Sequence, residues 1–179
     1  MGVMDLFNQP GAPRLRFDVD TSACDLDDLA PCGGVDVTVG GDVAWADLVQ
    51  RAVTSSWPGV ERLGGLTGTV GDAVRENAEA DGQAVADVVA SVTARDLTNG
   101  RTRGFAFTEC AFGPGTSRFQ EWLPDGRYRY DVLEVAFLFQ LGDLTTPIRD
   151  PELAAVLGVA PGDRVPLAEY AARRDGHRG

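Results

Sequence analysis

The thirteen residues "YRYDVLEVAFLFQ", Tyr128 to Gln140, limit what this chain can become. Tyr128, Tyr130, Val132 and Glu134 fall on one side of an extended chain, and Arg129, Asp131, Leu133, Val135 and Phe137 on the other. An extended segment of this length is stable only when flanking strands take up its backbone donors and acceptors, so a sheet is required. Four further strands are predicted: Arg14–Asp18, Val35–Val39, Val88–Asp96 and Arg101–Phe107. Asn99-Gly100 between the last two is a type I′ hairpin signal. Trp45, Leu48, Val49, Ala52 and Val53 recur at three- and four-residue intervals, which predicts a helix over Ala44–Ser55 with Asp42 as its cap. A second helix, Val70–Ala78, has Thr69 as cap and Asp72 in its first turn, and "RDPELAAVLGV" and "VPLAEYAARRDG" read as helical. The expected fold is α+β, with an antiparallel or mixed sheet of about four to five strands flanked by helices.

At 179 residues, 44% hydrophobic and 24% charged, the chain is expected to form a single domain over 1–179. Residues 1–32 are expected to form an irregular segment with one strand, 33–170 the main lobe and 171–179 a flexible tail. Sixteen basic residues, all arginine, face 27 acidic ones, for a net charge of -11. Such a surface repels nucleic-acid phosphates and anionic lipid, so neither partner is expected. Without lysine there is no Schiff-base chemistry and no P-loop. Cys24, Cys32 and Cys110 are odd in number and form no C-x-x-C pair, so they read as buried or incidental thiols. The single histidine, His177, sits in the tail, and no metal site is expected. No apolar run approaches the roughly 20 residues of a membrane span, and no signal segment opens the chain, which points to a cytoplasmic location.

"GGLTGTVGDAVRENAEADGQ", Gly64 to Gln83, has the glycine spacing of a turn that approaches a phosphate. With "VDVTVGGDVAWADLVQRAV" before it, and "CAFGPGTSRF" and "YDVLEVAFLFQLGD" after it, it resembles the flavin-binding lobe of the UDP-N-acetylenolpyruvoylglucosamine reductase (MurB) family over residues 33–170. Gly65, Gly68, Val70, Gly71, Asn77, Ala80 and Gly82 match that family's G-I-P-G-x-V-G-x-x-x-x-Q-N-x-G-A-Y-G pattern. The resemblance implies the second FAD-binding subdomain of the vanillyl-alcohol oxidase-type fold, with the turn and the following helix holding the flavin diphosphate.

The departures from the pattern shape the functional expectation. Thr67, Glu76, Glu79 and Asp81 stand where the family has Pro, Gln, Gly and Tyr, so three carboxylates are added near the implied diphosphate. One carboxylate about 4 Å from a phosphate charge costs on the order of 1–4 kcal/mol. "FGPGTSRFQ" resembles F-G-Y-R-x-S-x-F-K, but Pro114 and Gly115 replace the Tyr-Arg pair that serves substrate binding and the enol intermediate. The family's first lobe, with its G-G-G-S-N loop, and its third, with the catalytic Ser and Glu, are expected to be missing. The expectation is therefore a cofactor-free cyclase or isomerase acting on a largely apolar small molecule in a vacated flavin cleft. Glu76 and Asp81 are its candidate catalytic acids. Gly65, Leu66, Gly68, Thr69, Val70, Gly71, Asn77, Gly82, Phe112, Ser117 and Phe119 are expected to line it, either as a small-molecule pocket of roughly 300–1,000 Å³ or under a homodimer interface that covers part of it. Two alternatives stand beside it: an FAD-binding UDP-N-acetylmuramate dehydrogenase-like remnant that needs a partner, and a non-catalytic binding module.

Overall fold

A computed structural model of the protein describes residues 15–18 and 34–177. The strands are β1 (Leu15–Asp18), β2 (Gly34–Gly40), β3 (Glu79–Ala80), β4 (Gln83–Ala84), β5 (Val89–Asp96), β6 (Arg101–Ala106) and β7 (Tyr130–Gln140). The helices are α1 (Trp45–Thr54), α2 (Val70–Glu76), α3 (Pro151–Leu157) and α4 (Leu167–His177). Five strands form one sheet in the order β1-β2-β7-β5-β6, every pair antiparallel, and β3 and β4 make a separate small hairpin that the sequence did not announce. The α+β fold expected from the alternation is the fold observed. Most of the irregular segment expected over 1–32 lies outside the described residues.

β7 is the central strand, as its length required, but its two faces are not those of a uniform alternation. Tyr130 and Val132 are buried, and so are Val135, Phe137 and Phe139, so the inward phase changes across Leu133-Glu134. There the register against β5 slips, with Thr93 opposite Glu134 and Ala94 opposite Val132, which leaves Leu133 as a bulge. The Leu133 carbonyl is spent elsewhere, accepting the Gly41 N–H at 2.8 Å.

Helices α1 and α2 cover the inward face. Trp45, Leu48, Val49 and Ala52 of α1 are buried, as the helical spacing predicted, and Trp45 meets Phe137 edge-on at 6.3 Å. Asp42 does not cap α1. The cap position is Ala44, and the helix start is fixed by the Trp45 N–H donating to the Gly68 carbonyl at 3.0 Å. The β5–β6 connection is a four-residue loop, residues 97–100, and not a two-residue type I′ turn. Only Gly100 of that loop takes a positive φ, 72°. Asp96 Oδ1 captures the Thr98 N–H at 2.9 Å and hydroxyl at 2.6 Å, which widens the turn.

Asp96 also closes the near end of β7. Arg129 Nη2 reaches its Oδ2 at 2.7 Å and Arg129 Nε its Oδ1 at 3.2 Å. Those bonds from Arg129, then Thr98, hold the Asp96 carboxyl well below the usual carboxylate range. Stabilisation from a depressed carboxyl is complete above the unfolded value, near about 4, and is lost as pH falls through the folded value. Acid unfolding followed by circular dichroism is expected to begin at higher pH in Asp96→Asn, with a shallower pH dependence below about 4 than in the parent protein.

A short 3-10 turn, Glu61–Leu63, fastens the C-terminal third to the sheet. Glu61 is 4% exposed and Arg62 2%. The Glu61 carboxylate accepts the Gly59 N–H at 2.6 Å, the Thr146 N–H at 2.9 Å and the Thr146 hydroxyl at 3.0 Å. The Arg62 guanidinium donates to the carbonyls of Thr146 at 2.7 Å, Pro147 at 2.8 Å and Asp81 at 3.3 Å. Gln83 accepts from the Arg62 N–H at 2.9 Å and donates to the Thr146 hydroxyl at 3.2 Å. Beyond this clamp Ile148, Ala154, Leu157, Val165 and Tyr170 form a second small core. Removing the carboxylate orphans two amides and a hydroxyl, so Glu61→Ala is expected to lose about 3–5 kcal/mol in urea unfolding.

Candidate functional site

The glycine stretch folds into an exposed loop followed by the short helix α2, with Thr69 as cap as the sequence predicted. The Thr69 hydroxyl accepts the Asp72 N–H at 3.2 Å and the Asp72 carboxylate accepts the Thr69 N–H at 3.1 Å, a closed capping box. The Val70 N–H goes to the Val43 carbonyl at 2.9 Å and the Gly71 N–H to the Gly41 carbonyl at 2.9 Å. All four amides from Thr69 to Asp72 are therefore taken inside the protein. Burial pushes the Asp72 carboxyl up, but the Thr69 hydroxyl, the Thr69 amide and Arg75 outweigh it and hold the group below its ordinary value. The first turn of α2 thus carries an ionised carboxylate, which disfavours a second anion.

Gly71 serves close packing. A Cβ on Gly71 would lie 3.0 Å from the Gly41 carbonyl oxygen and 3.4 Å from Val132 Cβ. Gly71 and Val70 are buried, Leu66 packs half-buried on the core, and Gly65 and Gly68 are exposed. At the other end of α2, Asn77 is 4% exposed in a left-handed conformation, φ 41°. Its amide donates to the Gly113 carbonyl at 2.9 Å and its carbonyl accepts the Ala86 N–H at 2.9 Å. The Ser117 hydroxyl donates to the Arg75 carbonyl at 2.7 Å and accepts the Phe119 N–H at 3.2 Å. Asn77 and Ser117 so lock the loop 113–117 onto α2, uniting two segments about 40 residues apart in sequence.

The other expected site residues are distributed between the core, the surface and the β3–β4 hairpin. Phe119 is fully buried, packed edge-on against Phe105 at 5.4 Å and Tyr130 at 6.0 Å, and offers a ligand no surface. Glu76 is exposed, so the apolar burial on which its acid–base role depended is not there. Asp81 and Gly82 are exposed at the tip of the β3–β4 hairpin, on a shallow cavity of about 470 Å³ with Glu79 and Asp87. Phe112 is half-buried, its ring tilted at 43° against Phe107 with centroids 5.7 Å apart. Pro114 and Gly115 fill a tight turn closed by Gly113 and Thr116, whose amides donate to each other's carbonyls at 3.0 Å. Cys110 is buried, and burial and then Glu109 push its thiol up to about 11.

Three features have no counterpart in the sequence reading. One is the Glu61–Arg62 clamp. The second is a stack in which Trp122, 61% exposed, lies 4.1 Å from Tyr128, whose ring carries the Arg75 guanidinium at 4.3 Å. The third is a cavity of about 1050 Å³ whose rim includes Arg149 and Arg164. Neither of these two cavities is lined by Gly65–Gly71 or by Phe112–Phe119. Asn77→Ala is expected to lose about 1–3 kcal/mol in chemical denaturation, since it orphans the half-buried Ala86 amide and Gly113 carbonyl. Glu76→Gln is expected to stay within about 0.5 kcal/mol of the parent.

No family model matches the chain. It is similar to the UDP-N-acetylenolpyruvoylglucosamine reductase of Cutibacterium acnes, 39% identical over 142 residues that cover 79% of this chain and 37% of that protein. The reductase of Thermobifida fusca is 39% identical over 150 residues, covering 84% and 40%. That of Salinispora arenicola is 36% identical over 168 residues, covering 94% and 41%. The chain thus spans about two fifths of the length of the curated relatives it matches. A solved UDP-N-acetylenolpyruvylglucosamine reductase from Thermus caldophilus superimposes with a TM-score of 0.49 at 27% identity, over 64% of this chain and 38% of that one. These reductases overturn the expected cyclase or isomerase: every relative named here is a reductase, and the acid meant to carry the other chemistry is exposed.

Proposed function

Because the chain belongs to the UDP-N-acetylenolpyruvoylglucosamine reductase family across the segment it shares with these relatives, we propose that it serves as the reductase lobe of a UDP-N-acetylmuramate dehydrogenase-type oxidoreductase, completed by protein outside the described residues. The observation that carries this reading is the joint made by Asn77 and Ser117. Both are positions matched to the family patterns, and their hydrogen bonds to Gly113 and Arg75 hold the glycine-loop helix and the 113–117 loop as one unit. A wall of this kind positions groups that approach it.

The FAD that the resemblance implies is a poor fit to α2. The four amides that would meet a diphosphate there are bonded to Val43, Gly41 and the capping box, and the Asp72 carboxylate occupies the same turn. Among the described residues, the loop retains the exposed Thr67 and Gly68 amides as donors without an internal acceptor. Pro114 and Gly115 supply no cation for an enol intermediate, so no catalytic step is assigned to the 113–117 loop. What the described residues contribute is shape and rigidity.

A chimera tests this reading: residues 59–140 of this chain replace the matching segment of the Thermobifida fusca reductase. It is expected to fold, to hold FAD about 10- to 100-fold more weakly, as carboxylate–phosphate repulsion of a few kcal/mol requires, and to lose turnover. Pro114→Tyr with Gly115→Arg is then expected to restore part of the reduction of UDP-N-acetylenolpyruvoylglucosamine. A chimera that fails to fold, or one that binds FAD yet stays inactive after the double substitution, would overturn the assignment.

A further inference from the structure

We propose that the end of the sheet remote from the glycine loop carries a second binding site, a cavity that takes an anionic amphiphile: a phosphate, sulfonate or carboxylate head on an apolar stem. The cavity encloses about 1050 Å³ and meets β7 at Leu138–Leu141. Gly71 packs on β7 at Val132, six residues away, which is about 20 Å along a strand. Gly65–Gly71 take no part in the cavity's lining, although Arg62 just before that loop and Gly82 at the hairpin tip do, and this inference does not rest on the reductase reading.

Its lining is divided by chemistry. One side is apolar: Leu138 is 53% exposed and Leu141 43%, beside Pro58. Large aliphatic side chains left open next to one another mark a surface that something apolar covers. The other side is cationic. Arg149 and Arg164 stand on neighbouring segments, since the Ile148 N–H donates to the Asp163 carbonyl at 2.8 Å. Both are exposed, and among the described residues neither makes a hydrogen bond or ion pair. Asp87 is the one carboxylate on the lining.

Charge argues for an anion in particular. With a net charge of -11, the chain's average surface repels one, and here two uncommitted guanidiniums face a common space. Arginine offers a planar fork of donors suited to phosphate, sulfonate and carboxylate oxygens. The volume sits at the upper end of the range for small-molecule pockets, about 300–1,000 Å³. The clamp holds the cavity in shape, because the Arg62 bonds to Thr146 and Pro147 fix the segment that leads to Arg149.

The probe is 8-anilinonaphthalene-1-sulfonate, an anion on an aromatic stem, titrated into the folded full chain and read by fluorescence. One saturable site is expected, weakened as salt is raised. Arg149→Glu with Arg164→Glu is expected to raise the Kd at least about tenfold, and Leu138→Ser about threefold, while Arg95→Glu on β5 leaves it unchanged. Near-ultraviolet circular dichroism confirms that each variant keeps its tertiary packing. Decyl phosphate is expected to displace the probe at concentrations where inorganic phosphate does not. Equal displacement by the two phosphates would overturn the apolar half of the site. An unchanged Kd in the double variant, or an equal loss in Arg95→Glu, would overturn the site itself.

Discussion

The clamp of Glu61 and Arg62 is the contact through which the separate parts of this chain become one body. A buried carboxylate and a buried guanidinium are costly to desolvate, and each is retained here because it satisfies backbone groups that nothing else reaches. Through Glu61 the turn before the glycine loop holds Thr146, and through Arg62 it holds the Asp81 end of the β3–β4 hairpin together with Thr146 and Pro147. Sheet, hairpin and C-terminal helices share one junction. Its strength lies in geometry: Thr146 engages both partners, and Gln83 closes the circuit.

The strand order follows from β7. A strand of eleven residues buried on its inner face needs a partner on each side, and β2 and β5 supply them with Val35, Val37 and Val92 in register against Phe139, Phe137 and Val135. The bulge at Leu133 is what lets the helices fit. It turns the β7 backbone toward Gly41, and the Gly41 carbonyl in turn takes the Gly71 N–H, so α2 lies directly on the sheet. A side chain at Gly71 would press on that carbonyl. Of the glycines that suggested a phosphate cradle, Gly71 is thus spent on bringing backbones together.

Where elements begin and end was legible because periodicity is local. Val35, Val37 and Val39, the α1 stripe from Trp45 to Ala52, and Thr69 with Asp72 each declare their structure within a few residues. What was misread depends on distant partners. Asp42 looked like a cap until the Gly68 carbonyl took the Trp45 amide. Asn99-Gly100 looked like a two-residue turn until Asp96 captured Thr98. Glu76 kept the composition of a catalytic acid, but its exposure is a tertiary fact that no spacing encodes. The family likeness was legible for a different reason: Asn77 and Ser117 are each required by a contact some 40 residues away, so those letters persist in the pattern.

The outer strand β6 exposes Arg101, Thr102, Arg103 and Gly104 in succession, and Arg103 lies over the Phe105 ring at 4.2 Å while pairing with Glu109. An edge strand presents unpaired amides and carbonyls that another sheet can zip onto. Were a second copy to add its own β6 in antiparallel register, the guanidiniums of Arg101 and Arg103 would be brought against their counterparts, and like charges directly opposed across strands repel. Arg101 and Arg103 on this rim thus oppose edge-to-edge joining of two such sheets, the contact from which fibres grow.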